Sequence, residues 1–136
     1  IKNINHRYIK FVQLNNEYFM HKDTINLINY MNKVAVKDEC VQNFTNDHAL
    51  AYLLKKRTCT TYYASLLASP DILQNDYINQ LIKNKPSYII YKSDKYLLDN
   101  LEIYERLKLV SNYINLNYDF HKKIDGYEIY KIIEAN

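Results

Sequence analysis

"KKRTCTTYYASLLASPD", residues 55–71, is the stretch on which the fold turns. Thr60, Thr61, Tyr62 and Tyr63 are β-branched or aromatic, types that suit a pleated, half-buried surface, so a strand is expected over 60–66. Ser69-Pro70-Asp71 then reads as a helix start. Ser69 sits at the cap, Pro70 at the first helical position where its missing N–H costs nothing, and Asp71 in the first turn. The helix that follows places Ile72, Leu73, Tyr77, Ile78, Leu81 and Ile82 on its inner face.

The same strand–helix unit is expected on either side. Upstream, "ECVQNFTN" (39–46) reads as a strand carrying Val41 and Phe44, and "DHALAYLLKKR" (47–57) as a helix with Leu50, Tyr52, Leu53 and Leu54. Before them, "KDTINLINYMNKV" (22–34) has Ile25, Leu27, Ile28, Met31 and Val34 at helical spacing, with Asp23 or Thr24 able to cap it. Downstream, Pro86 ends the long helix, because the residue before a proline is pushed out of the helical region. Tyr88-Ile89-Ile90-Tyr91 is a continuous apolar run, the mark of a strand covered on both faces. "YERLKLVSNYINLN" (104–117) is a helix with Leu107, Val110, Tyr113 and Ile114 inward. Asp125-Gly126 predicts a hairpin over 118–133, through a type I′ turn with positive φ at both central residues.

Alternating strands and helices predict an α/β protein: a three-layer α/β/α sandwich with a mostly parallel sheet, strands near 40–46, 60–66 and 87–92, and a C-terminal antiparallel edge hairpin. Residues 1–20 read as an extended lead-in with a short strand at Tyr8–Val12, and 21–136 as a single domain. The chain's 136 residues suffice for one hydrophobic core, and a hydrophobic fraction of 48% spread along the chain excludes disorder. The chain starts at Ile1, so it is expected to be a fragment or a processed product. Within these residues no signal peptide and no apolar run near the ~20 residues of a membrane span is read, and the longer product it is expected to come from is free to carry either.

Composition excludes several functions. Net charge is +3 with both signs interspersed, so no basic stripe marks a nucleic-acid partner. One glycine, Gly126 in the hairpin, excludes phosphate-binding and dinucleotide loops, and no cofactor is expected. The histidines His6, His21, His48 and His121 are scattered without ligand spacing, so no metal site is expected. The 15 tyrosines accompany many Lys, Asn and Ile, as AT-rich coding would produce, and carry no function as a group. Asn43-Phe44-Thr45 matches a glycosylation sequon but falls in an expected buried strand. No Gly-x-Ser-x-Gly elbow surrounds a serine, and Cys59 has no histidine nearby in sequence. Cys40 and Cys59 are either two small buried residues or, in an oxidising compartment, one disulfide closed between neighbouring strands.

In an open α/β sheet, ligands bind beyond the carboxyl ends of the strands. The polar residues expected there are Asn46, Asp47 and His48, then Ser69 and Asp71, then Ser93 and Asp94. Tyr91 or Tyr96 is placed to stack on a sugar ring. Helix capping calls for the same residue types at the same places, so capping and a polar or anionic ligand at the helix N-termini both stand as readings.

Residues 39–94 together with 103–133 resemble the soluble carboxy-terminal region of polytopic bacterial glycosyltransferases, of the dolichyl-phosphate-mannose–protein mannosyltransferase superfamily. The features that carry this are Thr45-Asn46, Tyr52-Leu53-Leu54, Lys56-Arg57, Tyr62-Tyr63, Ala68-Ser69-Pro70, Lys85-Pro86-Ser87-Tyr88-Ile89-Ile90, Glu105-Arg106-Leu107 and Gly126-Tyr127-Glu128-Ile129-Tyr130, over roughly residues 24–133. The resemblance implies a domain with no activity alone, on the extracytoplasmic (periplasmic) face of a bacterial membrane. It would help position the acceptor or shape access to a membrane active site that uses a lipid-linked sugar. The partners it implies are the membrane-embedded remainder of the same polypeptide and a glycan or polar acceptor. The family's catalytic carboxylate belongs to a loop between membrane helices that this sequence does not contain. Two other classes remain open from the residues: a stand-alone periplasmic binding module for a sugar or anion, and a small thiol or hydrolytic enzyme built on Cys59 or Ser69.

Overall fold

The structure, a computed structural model, describes residues 20–37, 40–93, 95 and 99–134. The lead-in over residues 1–19, with the strand expected at Tyr8–Val12, lies outside the described residues, as do Asp94 and Tyr96. The described chain is a mixed α/β fold. Helix α1 (Lys22–Val34) is followed by strand β1 (Gln42–Phe44), a single turn α2 (Leu50–Leu53) and a 3₁₀ turn (Ser65–Ala68). Then come α3 (Asp71–Asn84), β2 (Tyr88–Lys92), α4 (Ile103–Arg106), α5 (Lys108–Asn117), β3 (Tyr118–Ile124) and β4 (Tyr127–Ile132).

The four strands form one sheet in the order β1-β2-β4-β3. Only β1–β2 is parallel; β2–β4 and β4–β3 are antiparallel, which corrects the expectation of a mostly parallel sheet. Two local facts explain this. First, the strand expected at 60–66 does not form. Its hydroxyls bond the nearby backbone instead: Thr58 Oγ1 donates to Thr60 O at 2.7 Å, and Thr60 Oγ1 accepts from the Tyr62 N–H at 3.2 Å. Gln80 accepts the Thr61 N–H at 2.8 Å and Asn84 donates to Cys59 O, so side chains of α3 occupy groups a ladder would use. Second, β4 rather than β3 docks on β2. β4 offers apolar side chains to both faces, Tyr127 and Ile129 on one and Tyr130 and Ile132 on the other, as an interior strand requires. β3 is exposed from Asp119 to Lys123 and takes the edge, where charged residues discourage further pairing.

Alternate residues of β2 feed two cores on opposite faces of the sheet. Ile89 and Tyr91 join Phe44, Tyr77, Leu81, Ile103, Leu107, Val110 and Ile114, packing α3, α4 and α5 on one side. Tyr88 and Ile90 join Leu27, Met31, Leu50, Leu54, Tyr127 and Ile129, packing α1 and α2 on the other. A buried polar cluster lies under β1: Gln42 Nε2 donates to Tyr77 Oη at 2.6 Å, and Ser65 Oγ lies 3.2 Å from that oxygen and 2.9 Å from Asn43 O.

Other boundaries moved. α2 stops after one turn, because Lys55 turns left-handed at φ 54°, and Tyr52 is left exposed. The N-cap of α1 is His21, not Asp23 or Thr24, and that of α3 is Pro70, one residue later than expected. Ile72 and Ile82 face outward from α3. α3 ends as Pro86 requires, with Lys85 out of the right-handed helical region at φ 41°. The helix expected over 104–117 breaks at Leu107 into α4 and α5. The Asp125-Gly126 hairpin is present, but only Asp125 has positive φ (50°), so the turn is not type I′. Asn26 Nδ2 holds the Asp125 carboxylate at 2.8 Å and supports that conformation.

Candidate functional site

A row of aromatic rings crosses the sheet, one from each strand. Phe44 on β1 stands opposite Tyr91 on β2, and Phe120 on β3 stands opposite Tyr130 on β4, while Tyr91 and Tyr130 are diagonal neighbours on one face. The ring centroids are 6.3, 6.4 and 6.0 Å apart in succession. Exposure rises along the row: Phe44 is 2% exposed, Tyr91 and Tyr130 are half-buried, and Phe120 is 58% exposed. The cause is the edge position of β3, which lies beyond the helices packed on this face.

Beside the row lies a groove of about 490 Å³. Its far wall is one stripe of α4 and α5: Tyr104, Lys108, Ser111, Asn112 and Asn115, spaced so that successive turns present them together. The Glu102–Glu105 capping box fixes the start of α4, with the Glu102 N–H donating to Glu105 Oε2 at 3.0 Å. Ser93 Oγ donates to Glu102 Oε2 at 2.8 Å and ties the end of β2 to this wall. On the sheet side, Glu128 accepts from Tyr130 Oη at 3.1 Å and pairs with Lys123 at 3.2 Å. Burial raises the Tyr91 phenol to about 12, with the Ser93 hydrogen bond opposing and the Glu102 and Glu128 carboxylates adding to the rise. Burial, and then the bond to Glu128, raises Tyr130, and the Glu105 charge raises Tyr104. The three phenols are therefore neutral donors near neutral pH. Glu105 and Lys108 are the charged residues of the lining, and the Glu102 and Glu128 carboxylates act on Tyr91, so the groove has no excess of positive charge.

The strand-end residues expected to share one rim have separate sets of partners. Asp47 shapes a tight turn: its N–H donates to Thr45 Oγ1, its carbonyl accepts Asn43 Nδ2, and its carboxylate accepts the Ala49 N–H. It also receives Tyr127 Oη at 3.5 Å, on the α1 face of the sheet. Asn46 is half-buried in that turn and His48 is exposed. Ser69 Oγ donates to Leu66 O at 2.6 Å, and Asp71 accepts from Gln74 at 3.4 Å at the start of α3. Tyr91 lines the groove, and Ser93 reaches it through Glu102. Asp94 and Tyr96 lie outside the described residues.

Cys40 and Cys59 are joined in a disulfide, with Cα atoms 5.1 Å apart. Cys40 also pairs with Arg57 in an isolated parallel bridge, beside which the Val41 N–H donates to Arg57 O at 3.0 Å. A bridged sulfur is not a thiol nucleophile, and Ser69 Oγ donates to the Leu66 carbonyl. Asn43 is 1% exposed and its amide is bonded to Asp47 O, which rules out the sequon as an accessible site in the folded protein. Among the described residues no cluster of His, Cys, Asp or Glu has the geometry to hold a metal ion.

Tyr104, Lys108, Ser111, Asn112, Asn115 and Phe120 are not among the site residues expected from the sequence, and Tyr130 enters there only through the Gly126–Tyr130 motif. A signal was present in the i, i+4, i+7, i+11 spacing of Tyr104, Lys108, Ser111 and Asn115. Their relation to Tyr130 requires the register of β4 on β2.

No family model and no curated protein matches this chain. Among solved structures, the chain is similar to the C-terminal globular domain of an oligosaccharyltransferase from Archaeoglobus fulgidus. The two are 15% identical, the match covers 84% of this chain and 99% of that one, and the TM-score is 0.49. No helix of the described residues is long and apolar enough to cross a membrane.

Proposed function

We propose that this chain is a non-catalytic domain of a membrane-embedded glycosyltransferase that uses a lipid-linked sugar, and that it helps to position the acceptor or shape access to the active site. The observation that carries this is where the glycosyltransferase-like motifs fall. Thr45-Asn46 follows β1 directly, Lys85-Pro86 lies between α3 and β2, and Gly126-Tyr127 opens β4, so the motifs bound three neighbouring strands of one sheet. Tyr62-Tyr63 departs from the pattern, since no strand forms there. The Cys40–Cys59 disulfide supports an extracytoplasmic, periplasmic setting, because such bonds persist in oxidising compartments. Acceptor contact is proposed at the groove beside Tyr91 and Ser93, and secondarily at the turn of Asn46, Asp47 and His48.

The test is the full reading frame that encodes this chain. Apolar spans preceding the domain and loss of transfer on deleting the segment corresponding to 24–133, with the membrane portion still inserted, are the expected results. A frame with no such spans, or full transfer without the domain, would overturn the proposal. In the same enzyme His48→Ala tests the turn separately from the groove.

A further inference from the structure

We infer that the groove between the aromatic row and α5 is a binding site for an uncharged sugar. This deepens the proposed function, on which it rests for the origin of the sugar as part of a glycan handled by the enzyme. Four observations converge on it.

The rings are presented, not packed away. Tyr104 is 46% exposed on one wall and Phe120 is 58% exposed beyond Tyr130 on the other side. An aromatic face suits the C–H face of a pyranose, and a phenol adds a polar tip that tolerates the wet rim. The facing helix supplies the complementary polar groups. Asn112 and Asn115 each carry donors and an acceptor, and Ser111 Oγ, which donates to Tyr104 O at 3.3 Å, keeps its acceptor lone pairs. A sugar hydroxyl is likewise donor and acceptor, so the wall can meet it in either sense. Charge then narrows the ligand class. Glu105 and Lys108 are the charged residues of the lining, the Glu102 and Glu128 carboxylates lie near enough to act on Tyr91, and a phosphate or uronate would find no clamp of several cations there. Carboxylates can accept from vicinal hydroxyls instead. Finally, at about 490 Å³ the groove falls within the ~300–1,000 Å³ typical of small-ligand sites.

The experiment uses the 136-residue chain labelled with ¹⁵N and titrated separately with α-mannobiose, N,N′-diacetylchitobiose, maltotriose and trigalacturonate. At least one neutral sugar is expected to give saturable shifts at the Asn112 and Asn115 side-chain amides and around Tyr104 and Tyr130, with a Kd of order 1 mM. Tyrosine fluorescence gives a second readout, since the chain has no tryptophan. Tyr104→Ala, at a half-exposed site, should weaken binding about tenfold while the melting temperature holds, and Tyr104→Phe should keep it within about twofold because the ring face remains. The inference is overturned by no saturable shift with any of the three neutral sugars to about 10 mM, by shifts located away from the groove, by unchanged affinity in Tyr104→Ala, or by equal affinity for trigalacturonate. Because this binding is measured on the chain alone, its failure leaves the deletion experiment on the membrane enzyme to judge the wider proposal. Failure of that deletion experiment, in turn, leaves sugar binding by the chain intact.

Discussion

Removing the Cys40–Cys59 disulfide should destabilise the domain by about 3 kcal/mol. The bond closes a loop of 19 residues, and the entropy denied to the unfolded chain by a loop of that length is worth about that much near room temperature. The native contacts around the bond explain why so short a loop matters. It holds Arg57 beside β1, and the segment that follows carries Thr60 and Ser65 to the buried Tyr77. That segment has bends but no ladder, and besides the bridge it is held by side-chain contacts to α3: Gln80 and Asn84 on its backbone, Asp76 on Tyr62 Oη, and Tyr62 stacked on Tyr77 with centroids 5.0 Å apart. The assay is urea and thermal unfolding of the oxidised protein against Cys40→Ala/Cys59→Ala, with hydrogen exchange on both. We expect a drop in melting temperature of about 10 °C, and faster exchange concentrated over 57–66 while the β2–β4 ladder stays protected. A loss below about 1 kcal/mol would refute the reasoning. It would mean that the polar cluster holds the segment unaided, or that the unfolded chain already keeps the two residues close.

Gly126→Ala should change stability by less than about 0.5 kcal/mol, because Gly126 lacks positive φ and an added Cβ would meet only Lys92 Cε at 3.5 Å; a loss above about 1 kcal/mol would restore the type I′ turn. Ser69→Ala should cost about 1 kcal/mol through its bond to Leu66 O, so hydrogen exchange should rise over 65–69 and not in the first turn of α3. Alkali should unfold the protein. Burial raises the phenols of Tyr77, Tyr91 and Tyr118 above their ordinary value, so above pH ~10 the unfolded state releases protons the folded state keeps, and stability falls as pH rises from ~10. Tyr77 alone should contribute a slope of up to about 1.4 kcal/mol per pH unit, read as phenolate absorbance appearing together with loss of ellipticity; phenolate appearing for all tyrosines before unfolding would contradict it.

The parts of the fold visible in the sequence are those where one local rule acted without a competitor. Pro86 had to end α3, the apolar run at Tyr88–Tyr91 had to be covered on both faces, and Asp125 had to turn a hairpin. The reading of 60–66 failed because two rules conflict there. Thr60, Thr61, Tyr62 and Tyr63 have the side chains of a strand, yet threonine hydroxyls can also satisfy neighbouring backbone groups. The outcome was settled by Gln80 and Asn84, some twenty residues away on α3, which bond the backbone at Thr61 and Cys59. Once that segment was lost as a strand, the sheet needed another neighbour for β2, and β4 had apolar residues on both faces.

The strand-end rim and the groove differ in the same way. Asp47 and Ser69 could be picked out because turn and capping chemistry is local, and their hydrogen bonds within four residues in the structure are of that local kind. The groove depends on a diagonal between Tyr91 and Tyr130 that exists only because β4 lies antiparallel beside β2 in one register. A bulge at Phe120/Lys122 adjusts the edge further: His121 sits 2.9 Å from Tyr30 on the α1 face, while Phe120 remains in line with Tyr130. Sliding β4 by one residue would send Tyr130 to the α1 face and leave the amides of α5 opposite a different set of side chains. A site of this kind is written in strand pairing, so it could be found only after the order and register of the sheet were known.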